Sequence, residues 1–392
     1  MKVLLITWNF PPVMGGIEEL IGNLYRGLVR RGISMRVLAS RPAGEALLED
    51  DQGRIVRASK PGLKAFVLFS LFRGLPEAFR FRPDVILCGS LVAAPAGYLI
   101  ARLLRRRYVV ITYGSDLVHG GRMYRFALRF FLRRAERLVA ISHFTRALFP
   151  GAGLDPDRAV LIPPGVDVSR FVGLPEPAPH ELAEACEGRK VLLTVGRLVR
   201  RKGVLDFVQE CLPELVRRHP DLLYVVVGED ARLSLIHNQE GMRARIESAI
   251  SDAGLQGHVR LTGSLDERTL NWLLYRAELF LLPVLDLPGD KEGFGIVFLE
   301  AALGGTPSVA YSVGGVPDAI GEAGLLVQPG DFTAMIEAVS GLLSDETLRA
   351  KLGRAAERRA REEFNWDAIC ARYETLLRST SRQIGLSTES QS

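Results

Sequence analysis

The chain has 392 residues, 47% of them hydrophobic, and Lys+Arg 50 against Asp+Glu 45 give a formal net charge of +5. That length exceeds what one ordinary core fills and suits two domains. The four cysteines, Cys88, Cys186, Cys211 and Cys370, form no Cys-x-x-Cys pair and have no histidine close in sequence, which argues against a zinc site and for a reducing compartment.

The opening MKVLLITWNFPP has one lysine before an apolar run too short for a signal-peptide core, so it predicts a buried first strand. KVLLIT is that strand, and Ile17 to Arg31 has the spacing of a helix. MRVLAS, DVILCGS, YVVITYG and RLVAIS predict further strands, with helical stretches between most of them. The longest uncharged run, residues 85–101, contains Gly89, Ser90, Pro95 and Gly97, which fits a strand turning into a helix and not a membrane span. Residues 163–179 (PPGVDVSRFVGLPEPAP) form a proline-rich linker where the periodicity breaks. A second series follows: KVLLTVGR, LYVVVGE, HVRLTG, LFLLPV, PSVAYS and GLLVQP. Strands without polar alternation, separated by helices, predict parallel sheets covered on both faces. Two such series predict an α/β chain of two doubly wound Rossmann-like domains facing a cleft. The expected boundaries are 1–170 and 175–365, with 383–392 a disordered tail. Charge divides with them: residues 1–175 carry 26 Lys+Arg against 13 Asp+Glu, the remainder 24 against 32, so the halves suit different partners.

Ligands of such folds bind beyond the carboxyl ends of the strands. After the first strand, Gly15-Gly16 precede a helix whose amides and dipole favour an anion, though a tight strand-to-helix turn explains the pair equally. After the strand KVLLTV, the loop puts Arg197 at the strand end and Lys202 five residues on, two cations suited to a diphosphate. Arg200 and Arg201 are expected to face water. KEGFGIVFLEA, residues 291–301, sets Glu292 in a loop before a helix beginning near Gly295, and Glu300 one to two turns inside it. A carboxylate accepts from both hydroxyls of a ribose, and the amides of Phe294 and Gly295 suit sugar hydroxyls or phosphate. Glu300 stands among Phe298, Leu299, Ala301, Ala302 and Leu303, where a buried carboxylate with no ligand is costly. The plainer alternative makes Glu292 a helix-dipole partner and Glu300 a surface residue. Gly314-Gly315 follow a later strand, and YGSDL brings Tyr113, Gly114, Ser115 and Asp116 to the matching edge of the first domain.

GGIE, PGVD, GRL-x3-KG, the Glu-x7-Glu of EGFGIVFLEA, and GGVPD followed by GLLVQPGD occur in this order from the first strand to about Trp366. As a set they resemble the family 4 retaining glycosyltransferases of the GT-B fold. The resemblance implies transfer of a hexose from a nucleotide-sugar to an acceptor with retained configuration, with no metal and no other cofactor. It implies Arg197 and Lys202 on the donor diphosphate, approached by the Gly15-Gly16 turn, and Glu300 on the ribose. Glu292, Gly293, Phe294, Gly295 and Ile296 would meet the donor sugar, and Gly263 joins the donor set. Glu292, Arg197, Lys202 and Tyr113 are the implied catalytic residues, and Ser115 and Asp116 the acceptor-side ones. Arginine and lysine then supply the leaving-group stabilisation that a magnesium ion would otherwise give. In a front-face mechanism the leaving phosphate oxygen takes the acceptor's proton, and the six histidines form no constellation that would supply a base. Three positions depart from the family pattern: Tyr113 stands where histidine is common and is a poor base at neutral pH, Pro164 replaces the asparagine of Asn-Gly-Val-Asp, and Asp318 replaces a glutamate. The family also places its last helix, here about 366–382, back on the first domain.

The basic half carries two further features. GRMYRFALRFFLRRAERL sets Arg122, Arg125, Arg129 and Arg133 at three- and four-residue steps, and SKPGLKAFVLFSLFRGLPEAFRFR combines Lys60, Lys64, Arg73, Arg80 and Arg82 with an aromatic-rich apolar face. Both suit helices on an anionic membrane, and both equally suit helices whose apolar faces pack on the sheet. No stacking platform or nucleic-acid motif accompanies them, so nucleic acid is not an expected partner. The expected acceptor is therefore lipid-linked or a glycan, and the expected place is the cytoplasm, peripheral at the inner membrane face. PPVMGGI and EGFGIVFLEA are similar to lipid mannosyltransferases, which makes GDP-mannose the first donor expectation and a UDP-sugar the second. The alternatives are a nucleotide-sugar epimerase on the same fold, which needs acid/base groups not found here, and a non-catalytic nucleotide-sugar-binding protein.

Overall fold

A computed structural model describes residues 1–13, 15–42, 53–118, 129–171, 180–230 and 241–389. The chain divides into two compact units, Met1–Gly165 with Trp366–Ser392, and Val166–Asn365. In the first unit, β1 (Lys2–Thr7), β2 (Ser34–Ala39), β3 (Ile55–Arg57), β4 (Val85–Cys88), β5 (Arg107–Thr112), β6 (Arg137–Ala140) and β7 (Ala159–Leu161) form one sheet in the order β3-β2-β1-β4-β5-β6-β7. All neighbours run parallel. The unbroken apolar runs of β1 and β4 are what a sheet buried on both faces requires, and Val3–Ile6 and Val85–Cys88 are fully buried. Each such side chain contributes about 1.5–3 kcal/mol. β3 and β7 escape the sequence reading because each has three partly exposed residues and a partner on one side alone.

The last helix, Trp366–Glu389, belongs to this unit. It buries Ile369, Cys370, Tyr373 and Leu377, and Arg31 Nε meets Glu374 Oε2 at 2.7 Å. Two adjoining helices, Leu63–Phe72 and Gly74–Phe81, bury Phe66 and Ala78 and leave Phe72 75%, Leu68 56% and Phe79 55% exposed. Among the described residues no helix is long and apolar enough to cross a membrane.

In the second unit, β8 (Lys190–Val195), β9 (Leu222–Val227), β10 (Val259–Gly263), β11 (Leu279–Leu282), β12 (Ser308–Tyr311) and β13 (Gly324–Val327) stand in the order β10-β9-β8-β11-β12-β13, all parallel. The chain direction across each sheet reverses once: between β1 and β4 in the first, between β8 and β11 in the second. Crevices open beyond the strand ends at such switch points. Arg197 follows β8, and the loop to Glu292 follows β11.

Candidate active site

In the second unit the backbone fixes the loops before any side chain acts. Arg200–Lys202 form a single 3-10 turn ended by Gly203 at φ 72. A Cβ on Gly203 would lie 1.9 Å from the Pro283 carbonyl oxygen, so only glycine lets this turn lie against the residue after β11. The Leu285 amide donates to Arg201 O at 2.8 Å and ties the same two loops together. Gly314 and Gly315 are not merely a flexible sheet edge: a Cβ would come 2.2 Å from Glu292 O on the first and 2.0 Å from Gly293 O on the second. The Gly315 amide donates to Glu292 O at 2.9 Å. The GGVPD loop therefore clamps the backbone of KEGFG.

On this frame sits a compact charge cluster. Lys202 Nζ donates to Glu292 Oε2 at 2.7 Å, and the Arg201 guanidinium donates to the same oxygen. Arg201 Nε lies 3.0 Å from Asp290 Oδ1. The side chains of Arg201 and Lys202 are 12% exposed and that of Glu292 14%. Burial alone would raise the Glu292 carboxyl, but Lys202 and Arg201 outweigh it and hold the group at about 2. Burial lowers Lys202; Glu292 opposes that, and Arg201 and Arg197 add to it. Burial also works against charged Arg201, but Glu292 and Asp290 overcome it and the guanidinium is raised. Arg201 is thus the fully paired cation, and Lys202, sharing its acid, is the one with electrostatic room for another anion. The expectation that Arg201 faces water is wrong, because two carboxylates draw it inward. Arg200 is 40% exposed and ion-paired with Asp206. Arg197 is exposed and among the described residues makes no side-chain hydrogen bond or ion pair.

Phe294 is buried against Phe364 with ring centroids 5.8 Å apart. Gly295 ends the loop at φ 90, where a Cβ would lie 2.7 Å from the Phe298 ring, and caps the helix Ile296–Leu303. The first amides of a helix have no intrahelical acceptor, and Ile296 and Val297 are the first two residues of this one. Glu300, one turn in, is not a carboxylate awaiting a ligand: Arg170 Nη1 donates to its Oε1 at 2.9 Å, and its side chain is 12% exposed. The cost of burying it is met from within the protein. Gly263, at φ 72, closes β10, and its carbonyl accepts from the Gly228 amide at 2.9 Å.

The corresponding edge of the first unit is built differently. Gly15 has extended backbone (φ 168) and precedes the helix Gly16–Arg30. A Cβ on Gly15 would lie 2.3 Å from Glu18 Oε2, and Asn9 Nδ2 donates to Glu18 Oε1 at 2.6 Å. This helix start is therefore already faced by an acid of its own, which weakens the expected anion site at Gly15-Gly16. Tyr113 is buried and its hydroxyl donates to Gly89 O at 2.7 Å. Burial first, then Tyr373, Asp116 and Glu18, raise its pKa well above the ordinary value. A catalytic role for Tyr113 does not fit this placement, since its proton is engaged within the unit and its phenolate is strongly disfavoured. Asp116 lies in the short helix Ser115–Val118 with Ser115. Burial lifts its carboxyl to about 6 against the pull of backbone amides, among them Tyr113 N at 3.1 and 3.2 Å from the two oxygens. Of the expected arginine stripe, Arg122 and Arg125 lie outside the described residues, while Arg129 and Arg133 donate to Gly151 O at 3.0 Å and Gly153 O at 2.8 Å, binding a loop and not a surface.

Sequence reasoning named Lys202 and Glu292 without pairing them, expected Arg201 in water, and named neither Arg170 nor Asp290. The one sequence signal of the two arginines is adjacency, Arg201 beside Lys202 and Arg170 just after PGVD.

Residues 181–359 match the model of glycosyl transferases group 1 and residues 14–170 that of glycosyltransferase family 4. A GDP-mannose-dependent alpha-(1-6)-phosphatidylinositol monomannoside mannosyltransferase of Mycolicibacterium smegmatis is 31% identical over 397 residues, covering 96% of this chain and 98% of that protein. The chain is a family 4 glycosyltransferase of the GT-B fold. Solved structures agree on the fold of this glycosyltransferase. Sucrose-phosphate synthase from Thermosynechococcus elongatus matches with a TM-score of 0.76 at 22% identity, over 96% of this chain and 98% of that one. Anabaena HepE in complex with UDP matches with a TM-score of 0.77 at 20% identity, over 97% and 100%. The charge cluster after β8 and β11 lies within the segment matched to the group 1 model.

Proposed function

We propose that this glycosyltransferase moves mannose from GDP-mannose to a lipid-linked acceptor, with retained configuration and without a metal. A UDP-hexose is the second donor and a glycan the second acceptor. The observation that carries the reading is the pairing of Lys202 and Arg201 with Glu292 at the β8–β11 switch point, with Arg197 near enough to Lys202 to act on its charge. The Mycolicibacterium relative, named for GDP-mannose and a phosphatidylinositol mannoside, supports the choice of donor and acceptor.

In this reading Lys202 and Arg197 hold the diphosphate and stabilise the charge that grows on it as the bond from its oxygen to the anomeric carbon breaks. The acceptor oxygen bonds to that carbon from the same face, and its proton passes to the departing phosphate oxygen. Tyr113, whose hydroxyl is engaged with Gly89, is given no part. Glu292, held at about 2, stays an acceptor for sugar hydroxyls at any working pH, and Glu300 accepts from the ribose.

The peripheral-membrane part of the proposal rests on the helices Leu63–Phe72 and Gly74–Phe81. Phe72, Leu68 and Phe79 are exposed there, with exposed Lys60, Lys64, Arg73, Arg80 and Arg82 around them. Apolar side chains ringed by cations suit an anionic bilayer.

The test is incubation of the protein with radiolabelled GDP-mannose or UDP-hexoses and vesicles containing phosphatidylinositol, with and without EDTA. The expected result is an EDTA-resistant glycolipid whose anomeric signal by NMR keeps the donor's configuration. An inverted product, or isomerised donor with no transfer, would overturn the reading.

A further inference from the structure

The Glu300 carboxylate is held by a residue far from its own helix. Arg170 lies in the 3-10 turn Val168–Phe171, and its guanidinium reaches three groups. Nη1 donates to Glu300 Oε1 at 2.9 Å, Nη2 to Asn271 Oδ1 at 3.3 Å, and Nε sits 2.7 Å from Glu267 Oε1. Asn271 Nδ2 donates back to Arg170 O at 3.2 Å. The Arg170 side chain is 18% exposed and that of Glu300 12%, so this fork is largely shielded from water.

The turn that carries Arg170 has other anchors. Phe171 is buried and packs on Tyr275 with centroids 5.7 Å apart. Its carbonyl accepts from Tyr275 Oη at 3.3 Å and from Arg361 Nη2 at 3.1 Å. With Asn271 and Glu267 added, the turn is fixed without Glu300. The bond to Glu300 is therefore redundant for the turn. Glu300 itself stands on a helix whose buried neighbours Phe298, Leu299, Ala301, Ala302 and Leu303 are all apolar, and the Arg170 bond orients its carboxylate from outside that helix.

We propose that Arg170 is a positioning residue for the donor: its fork sets the rotamer of Glu300 so that the carboxylate meets the paired ribose hydroxyls of the nucleotide. The proposal rests on the donor-site reading above, in which Glu300 binds ribose. A planar guanidinium whose other two nitrogens meet Asn271 and Glu267 holds its Nη1 in one direction towards Glu300, and a single ammonium cannot reproduce that geometry, so lysine is a poor substitute.

The experiment measures Kd by calorimetry for GDP and UDP, each against its 2′,3′-dideoxy form, on the full chain. Wild type is expected to prefer the ribose form by about tenfold or more, the usual effect of a hydrogen bond to a charged group. Arg170→Ala should bring that preference close to one, Arg170→Lys should restore little of it, and adding Glu300→Gln to Arg170→Ala should lower it no further. Arg170→Gln, which keeps amide donors to Glu267 and Glu300, serves if the alanine variant does not fold, and it should also lower the preference. If Glu300→Gln abolishes the preference while the Arg170 variants keep it and merely melt earlier, the positioning role is overturned and the donor reading stands. If Glu300→Gln keeps the preference, or wild type binds neither nucleotide, the donor reading fails and this proposal with it.

Discussion

The two units share a parallel sheet with one switch point, yet they treat a carboxylate at the strand ends in opposite ways. Glu292 lies under two cations that hold it at about 2. Asp116 is held by backbone amides among the described residues, and burial lifts it to about 6. The same contrast runs through their neighbours. The second unit has Arg197 exposed and Lys202 sharing its acid with Arg201. The first has Tyr113 tied to a carbonyl and a helix start faced by Glu18. Architecture alone does not decide which edge takes an anion. The side chains after the strands do, and the second unit's edge is the one arranged around positive charge.

The sharpest way to break this comparison is to remove the acid from the cluster. Glu292→Gln leaves Arg201 with Asp290 alone and takes from Lys202 the carboxylate it is paired with, both side chains being largely buried. Breaking a buried pair from one side costs about 3–5 kcal/mol, so the variant should unfold at clearly lower denaturant at pH 7. The sign in pH follows from the depressed carboxyl. The wild-type contribution is complete above the ordinary value of 4.5 and fades as pH falls towards about 2. Equal stability of wild type and variant at pH 7 would show that the cluster is not as tightly paired as its geometry indicates.

Next in size is loss of the free cation. Arg197 is exposed and has no partner among the described residues, so Arg197→Ala should leave the melting temperature unchanged. It should lower kcat by about a hundred- to a thousandfold, as loss of one donor to developing charge does elsewhere. Lys202→Ala should lose as much activity and some stability, since Glu292 then keeps Arg201 alone. Full activity of both variants would remove the basis for placing the diphosphate here.

These two cases also show how much was legible in the sequence. The strands of both sheets' interiors were readable because burial on both faces forces unbroken Val, Ile and Leu, as in Leu222–Val227. The edge strands Ile55–Arg57 and Ala159–Leu161 were not, because a short, half-exposed strand leaves no such run. Lys202 and Glu292 were readable from motif position. Arg201 and Arg170 were misread or missed because their partners lie 91 and 130 residues away. No local spacing encodes a pair that only the folded sheet brings together. Tyr113 came from its place in the family resemblance, and no local spacing showed that the Gly89 carbonyl at another strand's end would engage its hydroxyl.

A third, smaller effect sharpens the other half of the comparison. The folded Asp116 carboxyl is lifted from 3.8 to about 6, so between those values the folded state binds its proton more tightly than the unfolded state. Stability then falls as pH rises from 4 to 7, by at most about 3 kcal/mol for a shift of this size. Asp116→Asn keeps an oxygen for the Tyr113 amide and removes the titration. Chemical denaturation at pH 4 and pH 7 should show a smaller difference for the variant. An unchanged difference would mean that Asp116 is as well stabilised as Glu292, and the contrast between the units would go.

The smallest effect on the fold concerns the first unit's surface, where cations stand around exposed apolar side chains. Phe72, at 75% exposure, loses little packing when shortened, and substitutions at such sites stay within about 0.5 kcal/mol. Leu68→Ser with Phe72→Ser should therefore leave the denaturation curve where it is. Sedimentation with vesicles containing anionic phosphatidylinositol should nevertheless fall, because those two side chains supply most of the apolar area on offer and the neighbouring arginines supply only a salt-screened attraction. Raising the salt should weaken wild-type binding for the same reason. Transfer of mannose to phosphatidylinositol in vesicles should drop with the binding, while turnover on a detergent-dispersed acceptor should hold. Unchanged vesicle binding in the double variant would leave the exposed helices as bare surface, and the two units would then differ at their strand ends alone.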